Sequence, residues 1–464
     1  TLSAYVAMEP LLEEMATDSG AVLTVPEGIV WEDEFLAFGE VSKAVLDTGM
    51  TLGDIQSGDI MVYLQKLSTM DLTVILNSRI IEQAMVNVFA GDAGLEGMDM
   101  MVAHDGIEWT DTYDGDTIVE EGELRIMLDA LNTLADDDAL DSLEEFNVNI
   151  ILNISETTLD ALFESEVLSD TLGNFIVDMA EEPFIIPSTT LKTITVDGVD
   201  RDVVVSTEMK NIFLAVQDLG IEDLTTVEFD PTLLKNLSED DDDTVLDETK
   251  TQNLFDSEIL HATLSDALLE QATGTEAVFT IPDQDIDGND IVVSHATDSI
   301  ELVVTDELNA ILDAFLALDI TDFNNIESID LNLIKNDFNR LLNSAIIHST
   351  FSDQLLDLTT DDTLNVPHYD ETDSVEIRKT VSGTEFIIKT ELQSVVDALD
   401  VLDLLDFQSF DGTVDLTVLD TQTNRDIVLG SSILQATISE QLIDLDTDGT
   451  ITLPHFDETG TTAI

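Results

Sequence analysis

Apolar residues recur along this chain in a pattern that predicts short helices and strands in a fixed order. The first element is clearest at residues 257–269. Apolar residues keep one face there at steps of about four, and Asp256 or Ser257 can cap the first turn, so an amphipathic helix is predicted. The residues of that face are Ile259, Leu260, Leu264, Ala267 and Leu268.

A small antiparallel sheet is predicted after this helix. Its first strand is the proline-closed segment 278–282, because proline cannot donate a ladder hydrogen bond and belongs at a strand end or edge. Two further strand-like runs follow, near Ile291 and at residues 299–304. Counterparts of the proline-closed segment are residues 22–26, 183–187, 363–367 and 450–454.

A second amphipathic helix is predicted directly after the sheet. Its apolar residues lie at i, i+3, i+4, i+7 and i+8, and they are Leu308, Ile311, Leu312, Phe315 and Leu316. Glu307 stands in the first turn, where we expect its carboxylate to complement the dipole of its own helix. The corresponding glutamates are Glu40, Glu123, Glu208 and Glu391.

The whole pattern returns at a nearly constant interval. The leading helix begins at Ser78, Ser165, Ser257, Ser344 and Ser431, so the intervals are 87, 92, 87 and 87 residues. A fixed period of this kind indicates one structural unit copied in tandem. The longest interval contains an acidic insertion at residues 238–253, for which we expect a solvated loop.

The repeat predicts an α+β fold, built as a tandem array of ~87-residue modules that each pack a small antiparallel sheet with two or three helices. The last stretch holds only one helix and one strand, and the first lacks the start of its leading helix. Both ends therefore look like cuts in a longer array. The predicted modules are residues 1–77, 78–164, 165–256 with the acidic insertion, 257–343, 344–430 and the partial repeat 431–464.

Charge and composition exclude several classes of partner. The 464 residues include 99 acidic and only 15 basic side chains, for a formal net charge of −84. Nucleic acids and anionic membrane surfaces are bound mainly through Lys and Arg, so neither is expected as a partner. Cysteine is absent, which excludes disulfides and Cys-ligated zinc. No apolar run approaches the roughly 18 residues of a membrane span, so no membrane insertion of this segment is expected.

The acidic residues suggest a cation site near the end of the chain. Asp444, Asp446 and Asp448, followed by Gly449, match the opening of a calcium-binding EF-hand loop. Position twelve of that loop needs a bidentate glutamate, whereas this chain has His455. The alternative is an ordinary aspartate-rich turn between a helix and a strand.

A second acidic cluster has the same spacing. Asp283, Asp285 and Asp287 follow the proline-closed segment, where a hairpin turn is expected, so the turn interpretation leads at this place. A weaker third cluster consists of Asp111, Asp114 and Asp116. Together the clusters predict that Ca²⁺ or another divalent cation binds, with the aspartates of the first two clusters as candidate ligands.

The histidines point to structure rather than to catalysis. Two pairs, His261 with His348 and His368 with His455, occupy equivalent repeat positions. A single active site is not built by copying one residue along an array, and no nucleophile-elbow, zinc-protease or nucleotide-binding motif is present. We therefore expect structural histidines, no catalytic or cofactor-binding residues, and no enzymatic activity.

Three stretches resemble the repeats of long tandem-repeat surface proteins of bacteria, the stalk and adhesin class. They are SAIIHSTFSDQLL from Ser344, TLNVPHYDE from Thr363 and FIIKTELQSVVDAL from Phe386. The resemblance extends over nearly the whole chain. It implies a location at the cell surface or outside the cell, and it implies a role rather than a chemical activity.

Two functions are compatible with these observations. The first is a structural repeat protein of the cell surface or extracellular space, which forms a stalk, sheath or filament and associates with neighbouring copies of itself. The alternative is an adhesin-type binding protein that recognises a carbohydrate or a protein. Binding faces for such ligands favour exposed aromatic residues, and the chain has only two tryptophans and four tyrosines, which favours the structural function.

Overall fold

The fold mixes helices with small antiparallel sheets, which confirms the α+β class. The computed structural model describes a few residues before 107 (36–37, 76–80, 82–83 and 86) and most of 107–447. The gaps in that range are 115–116, 137–147, 180–183, 197, 222–230, 240–241, 273–278, 296, 319–337, 361–363, 371 and 404–415. The chain divides into two compact units, residues 1–228 with 256–260, and residues 229–255 with 261–464. The finer division into six modules stays a prediction.

The first unit alternates helices with hairpins. Its described elements are β1 (Thr112–Asp114), β2 (Thr117–Glu120), α1 (Glu123–Asp136), α2 (Glu156–Glu164), α3 (Glu166–Met179), β3 (Leu191–Val196), β4 (Val199–Val204) and α4 (Ser206–Asp218). Strand β1 pairs with β2, and β3 pairs with β4, both antiparallel. Helices α2, α3 and α4 pack on one another, and the rings of Phe163 and Phe213 stack with their centroids 5.9 Å apart.

The second unit repeats this alternation. Its elements begin with β5 (Ser238–Glu239), β6 (Asp242–Leu246), α5 (Glu248–Asp256) and α6 (Glu258–Glu270). The division between the units falls within these two helices, because residues 256–260 belong to the first unit. The elements continue with β7 (Val292–Ser294), β8 (Glu301–Val303), α7 (Thr305–Leu318), α8 (Phe338–Leu341), α9 (Ala345–Thr360), β9 (Arg378–Val381), β10 (Thr384–Ile387), α10 (Lys389–Val401), α11 (Gln422–Val428) and α12 (Ser432–Thr447). Among the described strands every sheet is a two-stranded antiparallel hairpin.

The hairpin that joins β9 to β10 has a two-residue turn whose conformation is described in full. Its register pairs Thr384 with Val381 and Ile387 with Arg378. The two connecting residues, Ser382 and Gly383, have φ angles of 51° and 96°. Positive φ at both central positions gives the kind of two-residue turn whose twist matches that of the strands, and glycine adopts this conformation without strain.

The helix that follows each sheet supplies much of the core, as predicted. In α7 the side chains of Leu308, Ile311, Leu312 and Phe315 are at most 2% exposed. Apolar residues at the corresponding positions of α1, α4 and α10 are buried too. The 3.6-residue periodicity therefore identified the buried faces correctly, because burial of a helix depends mainly on which side chains share a stripe.

The proline-closed segments were predicted as strands, and that prediction is wrong for the described copies. Residues 184–187, 279–282 and 364–367 belong to no strand. Backbone groups of two of these segments bond instead to side chains of a helix. The N–H of Thr280 donates to Thr350 Oγ1 at 3.0 Å, and the N–H of Asn365 donates to Thr437 Oγ1 at 2.9 Å. The other two copies, residues 22–26 and 450–454, lie outside the described residues.

The acidic insertion is not the solvated loop that was predicted. Within this range, residues 238–239 and 242–246 form the hairpin β5–β6, and residues 248–253 belong to α5. Asp247 starts that helix, because its Oδ1 accepts from the N–H groups of Lys250 (3.1 Å) and Thr249 (2.8 Å), and these bonds lower the pKa of Asp247. Lys250 Nζ also donates to the Ser238 carbonyl at 3.1 Å. Local hydrogen bonding thus orders a stretch whose composition alone suggested a loop.

Within the ranges that the structure describes, no helix combines the length and the apolar character that a membrane crossing requires.

Truncation of a core leucine tests the buried face of α7. Leu312→Ala removes a side chain that is 2% exposed, so the free energy of unfolding should fall by about 2–5 kcal/mol. Val293→Ala, at a position 40% exposed in the same unit, is the matched control and should change it far less. Chemical denaturation gives both values, and equal losses would contradict the assignment of the buried face.

Candidate functional site

A buried glutamate caps the start of a distant helix. Glu307, in the first turn of α7, directs its carboxylate to the N-terminus of α9. Its Oε1 accepts from Ser344 Oγ at 2.6 Å and from the N–H of Ile346 at 2.9 Å. Its Oε2 accepts from the N–H of Ala345 at 2.9 Å. The side chain is only 3% exposed, so these bonds replace the water that an exposed carboxylate would bind.

The same arrangement occurs at three further places. Glu123 accepts from Ser165 Oγ at 2.5 Å, Glu208 from Ser257 Oγ at 2.7 Å, and Glu391 from Ser431 Oγ at 2.8 Å. Each carboxylate also accepts from the N–H group two residues after its serine, at 2.9 Å in every case. We call this arrangement the glutamate–serine cap.

The serine of each cap makes a second contact that fixes the helix start. Its Oγ accepts from the N–H group three residues further on, at 3.1 to 3.2 Å. The donors are Leu168, Leu260, Ile347 and Leu434. The first N–H groups of a helix have no partner within that helix, and here the serine and the glutamate together satisfy them.

The target of the glutamates differs from the sequence prediction. Their carboxylates were expected to complement their own helices, and they bond instead to a helix start 37 to 49 residues further along the chain. A sequence signal was present, because the glutamate and the serine recur together in every complete copy of the repeat. Their pairing could not be deduced from it, because each residue type is also favourable at the N-terminus of its own helix.

Burial sets the electrostatics of the caps. It raises the pKa of Glu123, Glu208 and Glu307 above the ordinary value of 4.5, and the hydrogen bonds from the serine and the helix N–H groups oppose that rise. A charged carboxylate is costly in a poorly solvated place unless several donors surround it. Each cap therefore combines a desolvation cost with compensating hydrogen bonds.

A second recurring contact holds the end of a hairpin against the leading helix. His348 Nε2 lies 2.7 Å from the carbonyl oxygen of Ile387, and Ser352 Oγ accepts from the N–H of Ile387 at 3.0 Å. Both peptide groups of one strand residue are thus bound by one face of α9. A strand edge with no neighbouring strand leaves such groups unpaired, and here helix side chains take the place of the missing strand.

The same contact occurs on α6. His261 Nε2 lies 2.7 Å from the carbonyl oxygen of Val303, and the N–H of Val303 donates to Ser265 Oγ at 3.1 Å. Burial lowers the pKa of the equivalent His348 to about 4, so that imidazole is neutral near neutral pH and donates from Nε2. These two histidines therefore bind backbone, as a structural histidine does.

Helix α3 accommodates its hairpin in a different way. Ser169 and Gly173 stand where α9 has His348 and Ser352. A Cβ atom at Gly173 would lie 2.5 Å from the oxygen and 2.9 Å from the nitrogen of Val204, at the end of β4. The smaller pair of residues thus lets the strand end approach the helix closely, and only glycine leaves room for that approach.

One aspartate of the weaker third cluster, Asp111, forms a buried ion pair. Asp111 Oδ2 accepts from Arg125 Nε at 2.9 Å and from Arg125 Nη2 at 2.6 Å. The N–H of Asp111 donates to Glu82 at 2.7 Å, and burial raises the pKa of Glu82 to about 7. The carboxylate of Asp111 is therefore already paired with the guanidinium of Arg125. The side chains of Asp114 and Asp116 lie outside the described residues.

The candidate ligands Asp283, Asp285 and Asp287 lie in a hydrogen-bonded turn. Asp285 Oδ1 accepts from the N–H groups of Asp287 and Asn289, both at 2.8 Å, and Oδ2 accepts from Asn289 Nδ2 at 2.7 Å. Burial by itself would raise the pKa of Asp285, but the bonds from Asn289 and its neighbours lower it. Asp283 Oδ2 accepts from Ser382 Oγ at 3.3 Å, and Asp287 is exposed.

An equivalent turn lies about one repeat further on. Asp370 Oδ1 accepts from the N–H groups of Ser374 at 2.8 Å and Thr372 at 3.1 Å. The bond from the Ser374 N–H contributes most to lowering the pKa of Asp370 to about 2. Its other partners are hydroxyl groups where Asp285 has an amide. In both turns, local N–H and side-chain donors surround the aspartate oxygens that a cation would otherwise approach.

Two of the three candidate ligands near the end of the chain lie on a helix. Asp444 and Asp446 belong to α12, which continues to Thr447, and Asp448 lies outside the described residues. Residues two apart on a helix point to different sides, whereas an EF-hand loop turns them toward one ion. Within the described ranges, no three His, Asp or Glu side chains form a group that could hold a metal ion. Cation binding at the six aspartates stays a prediction.

Comparison with models of known protein families, with curated proteins and with solved structures found no match for this chain.

Removal of one cap carboxylate should destabilise the second unit. Glu307→Ala leaves Ser344 Oγ and two N–H groups of α9 without their buried acceptor, which should cost about 1–3 kcal/mol of unfolding free energy. Glu301→Ala, at an exposed position of β8, is the matched control. Equal values for the two variants, measured by chemical denaturation, would count against the cap.

The raised pKa of Glu307 makes a prediction about pH. The folded state binds this proton more tightly than the unfolded state, so the associated stability is fully present below about 4.5 and is lost as pH rises through the raised value. The unfolding free energy of the parent minus that of Glu307→Gln should therefore fall with rising pH. Repulsion among the other acids affects both proteins and largely cancels. If this difference rose with pH instead, the hydrogen bonds to Glu307 would outweigh the effect of burial on its pKa.

Divalent cations should raise the melting temperature if the acidic clusters bind them. Binding to the folded form alone adds RT ln(1 + [L]/Kd) to stability. The measurement is thermal unfolding at matched ionic strength with calcium, magnesium or a chelator, for the parent and for Asp446→Asn/Asp448→Asn. A melting temperature that follows ionic strength alone, with both proteins alike, would rule out the sites.

Proposed function

We propose that this chain is a structural repeat protein of the cell surface or extracellular space, built as a tandem array of ~87-residue modules that forms a stalk, sheath or filament. The observation that supports it most strongly is the glutamate–serine cap. With module boundaries at the leading serines, each cap glutamate belongs to one module and caps the first helix of the next. Consecutive modules then share a buried contact in place of a flexible linker.

Further contacts support direct coupling between successive modules. In the second unit, Thr280 bonds to the next leading helix through its N–H, and its carbonyl accepts from Ser349 Oγ. Asn365 contacts α12 through its N–H and, at 3.0 Å, through its side chain to Glu440. Lys379 Nζ donates to the Ile286 carbonyl at 2.7 Å. Repeat proteins gain stability from such nearest-neighbour contacts.

The distribution of charge supports a structural function in a saline or cation-containing environment. Acidic residues dominate a chain of net charge −84, and the buried acids that form the caps are hydrogen-bonded. Self-repulsion on this scale needs screening, which salt or bound Ca²⁺ would supply. Binding of Ca²⁺ or another divalent cation is therefore part of the proposed function. The absence of cysteine and the resemblance to bacterial surface repeats support the extracellular location.

Electron microscopy of native material that contains this chain tests the structural function. We expect regular fibres or sheaths, because modules that couple directly to their neighbours can transmit order along an assembly. A glycan and protein array is the parallel measurement. Dispersed molecules that form no assembly and bind one ligand class on the array would contradict the structural function and support the adhesin alternative.

A further inference from the structure

The segment before α2 is buried except for one asparagine. The 3₁₀ helix Val148–Asn153 ends at this asparagine. Ile151 and Ile154 are 0% and 5% exposed, whereas Asn153 is exposed. The carbonyl oxygens of Ile151 and Ile154 both accept from Gln217 Nε2 of α4, at 3.0 and 3.1 Å. These contacts fix the backbone on both sides of Asn153 while its side chain faces solvent.

The side chain of Asn153 does not cap the helix that follows it. Asparagine is favourable at helix starts because its side chain can accept from the first N–H groups. At α2 that position belongs to Ser155, whose Oγ accepts from the N–H of Thr158 at 3.2 Å. Among the described residues no hydrogen bond reaches the Asn153 side chain. Its amide nitrogen is therefore accessible to another molecule.

Asn153 and Ser155 together form an acceptor motif for N-linked glycans. That motif is Asn-x-Ser or Asn-x-Thr, where x is any residue except proline. The sequence contains it at residues 153–155 and 236–238. Ser155 is exposed like Asn153, and only Ile154 between them is buried. Both side chains that the motif requires are thus accessible in the folded chain.

The second copy of the motif is accessible only in part. Asn236 is exposed, but Ser238 is buried, and its Oγ donates to the Lys235 carbonyl at 2.6 Å. Ser238 also belongs to β5, where it pairs with Leu246. An enzyme that acts on the folded chain cannot reach this hydroxyl unless the strand opens. The two copies of the motif therefore differ in the accessibility of the serine.

We propose that Asn153 is an N-glycosylation site and that Asn236 is not modified in the folded chain. The inference rests on the proposed function, because N-linked glycans are attached to chains that leave the cytoplasm. In the reaction, Asn153 Nδ2 forms a bond to the anomeric carbon of a glycan carried by a lipid diphosphate. The bond from that carbon to the diphosphate oxygen breaks, the lipid diphosphate leaves, and the nitrogen loses one proton to a base of the transferring enzyme.

The surroundings of Asn153 are compatible with a glycan. Helix α2 carries Glu156 and Asp160, whose side chains are 66% and 56% exposed and both contact Lys210 Nζ. A glycan is bulky, hydrated and confined to the surface. It replaces one amide hydrogen of a side chain that already faces solvent, so the modification removes no buried contact and no charge.

Mass spectrometry of native material that contains this chain tests the site. Peptides that include Asn153 should carry a glycan, located on that residue by fragmentation, and peptides that include Asn236 should carry none. Variants of the full chain are then made in cells that attach N-linked glycans to secreted proteins. Asn153→Gln and Ser155→Ala should each abolish the modification, and Ser155→Thr should retain it, because threonine keeps the hydroxyl that the motif requires.

Two controls separate the motif from the fold. Ser155→Ala also removes the cap of α2, so thermal unfolding of each variant checks that it folds, and Asn153→Gln leaves that cap intact. Asn236→Gln is the matched control and should leave the glycan at Asn153 in place.

An unmodified Asn153 in native material, or a glycan on Asn236 alone, would overturn the site. Fibres built from a chain that is unmodified at Asn153 would overturn this inference alone. A chain that is glycosylated at Asn153 and forms no assembly would support the site and contradict the structural function.

Discussion

The glutamate–serine cap is the interaction on which the order of this fold depends. A helix cannot begin inside a protein unless its first N–H groups find acceptors, and in this chain the acceptors come from a carboxylate 37 to 49 residues earlier. The glutamate lies in the first turn of the helix after a hairpin, so the hairpin fixes where its side chain can reach. The position of one helix thereby determines where another begins.

The cap also explains how so acidic a chain tolerates buried acids. Loss of one partner would leave a buried group unsatisfied, at a cost of about 1–3 kcal/mol, so the serine and the glutamate are each needed by the other. Three donors around one carboxylate offset the cost of removing it from water. Under the proposed modular architecture each such contact joins two neighbours, and stability then depends on the contacts between modules as well as on their cores.

The same contact between a leading helix and its hairpin is made by different side chains in different copies. A histidine with a serine spans the gap between helix and strand end on α6 and α9, whereas a serine with a glycine closes that gap on α3. Where the helix side chains are smaller, the strand end lies closer to the helix. His261 and His348 owe their places to the peptide groups of one strand residue, and no catalytic function is needed to account for them.

The sequence by itself determined the leading helices, the hairpins and second helices that follow them, the apolar face of α7 and the serines at the starts of the leading helices. These features depend on side-chain periodicity and on local capping, which neighbouring residues encode. Tertiary structure alone decided which acceptor meets which donor. Glu307 bonds to Ser344 rather than to its own helix, and the proline-closed segment at Thr280 bonds to a helix rather than to a strand. The hairpin β5–β6 and α5 form where a loop was predicted. Such pairings join residues far apart in the chain, and no local pattern distinguishes one distant partner from another.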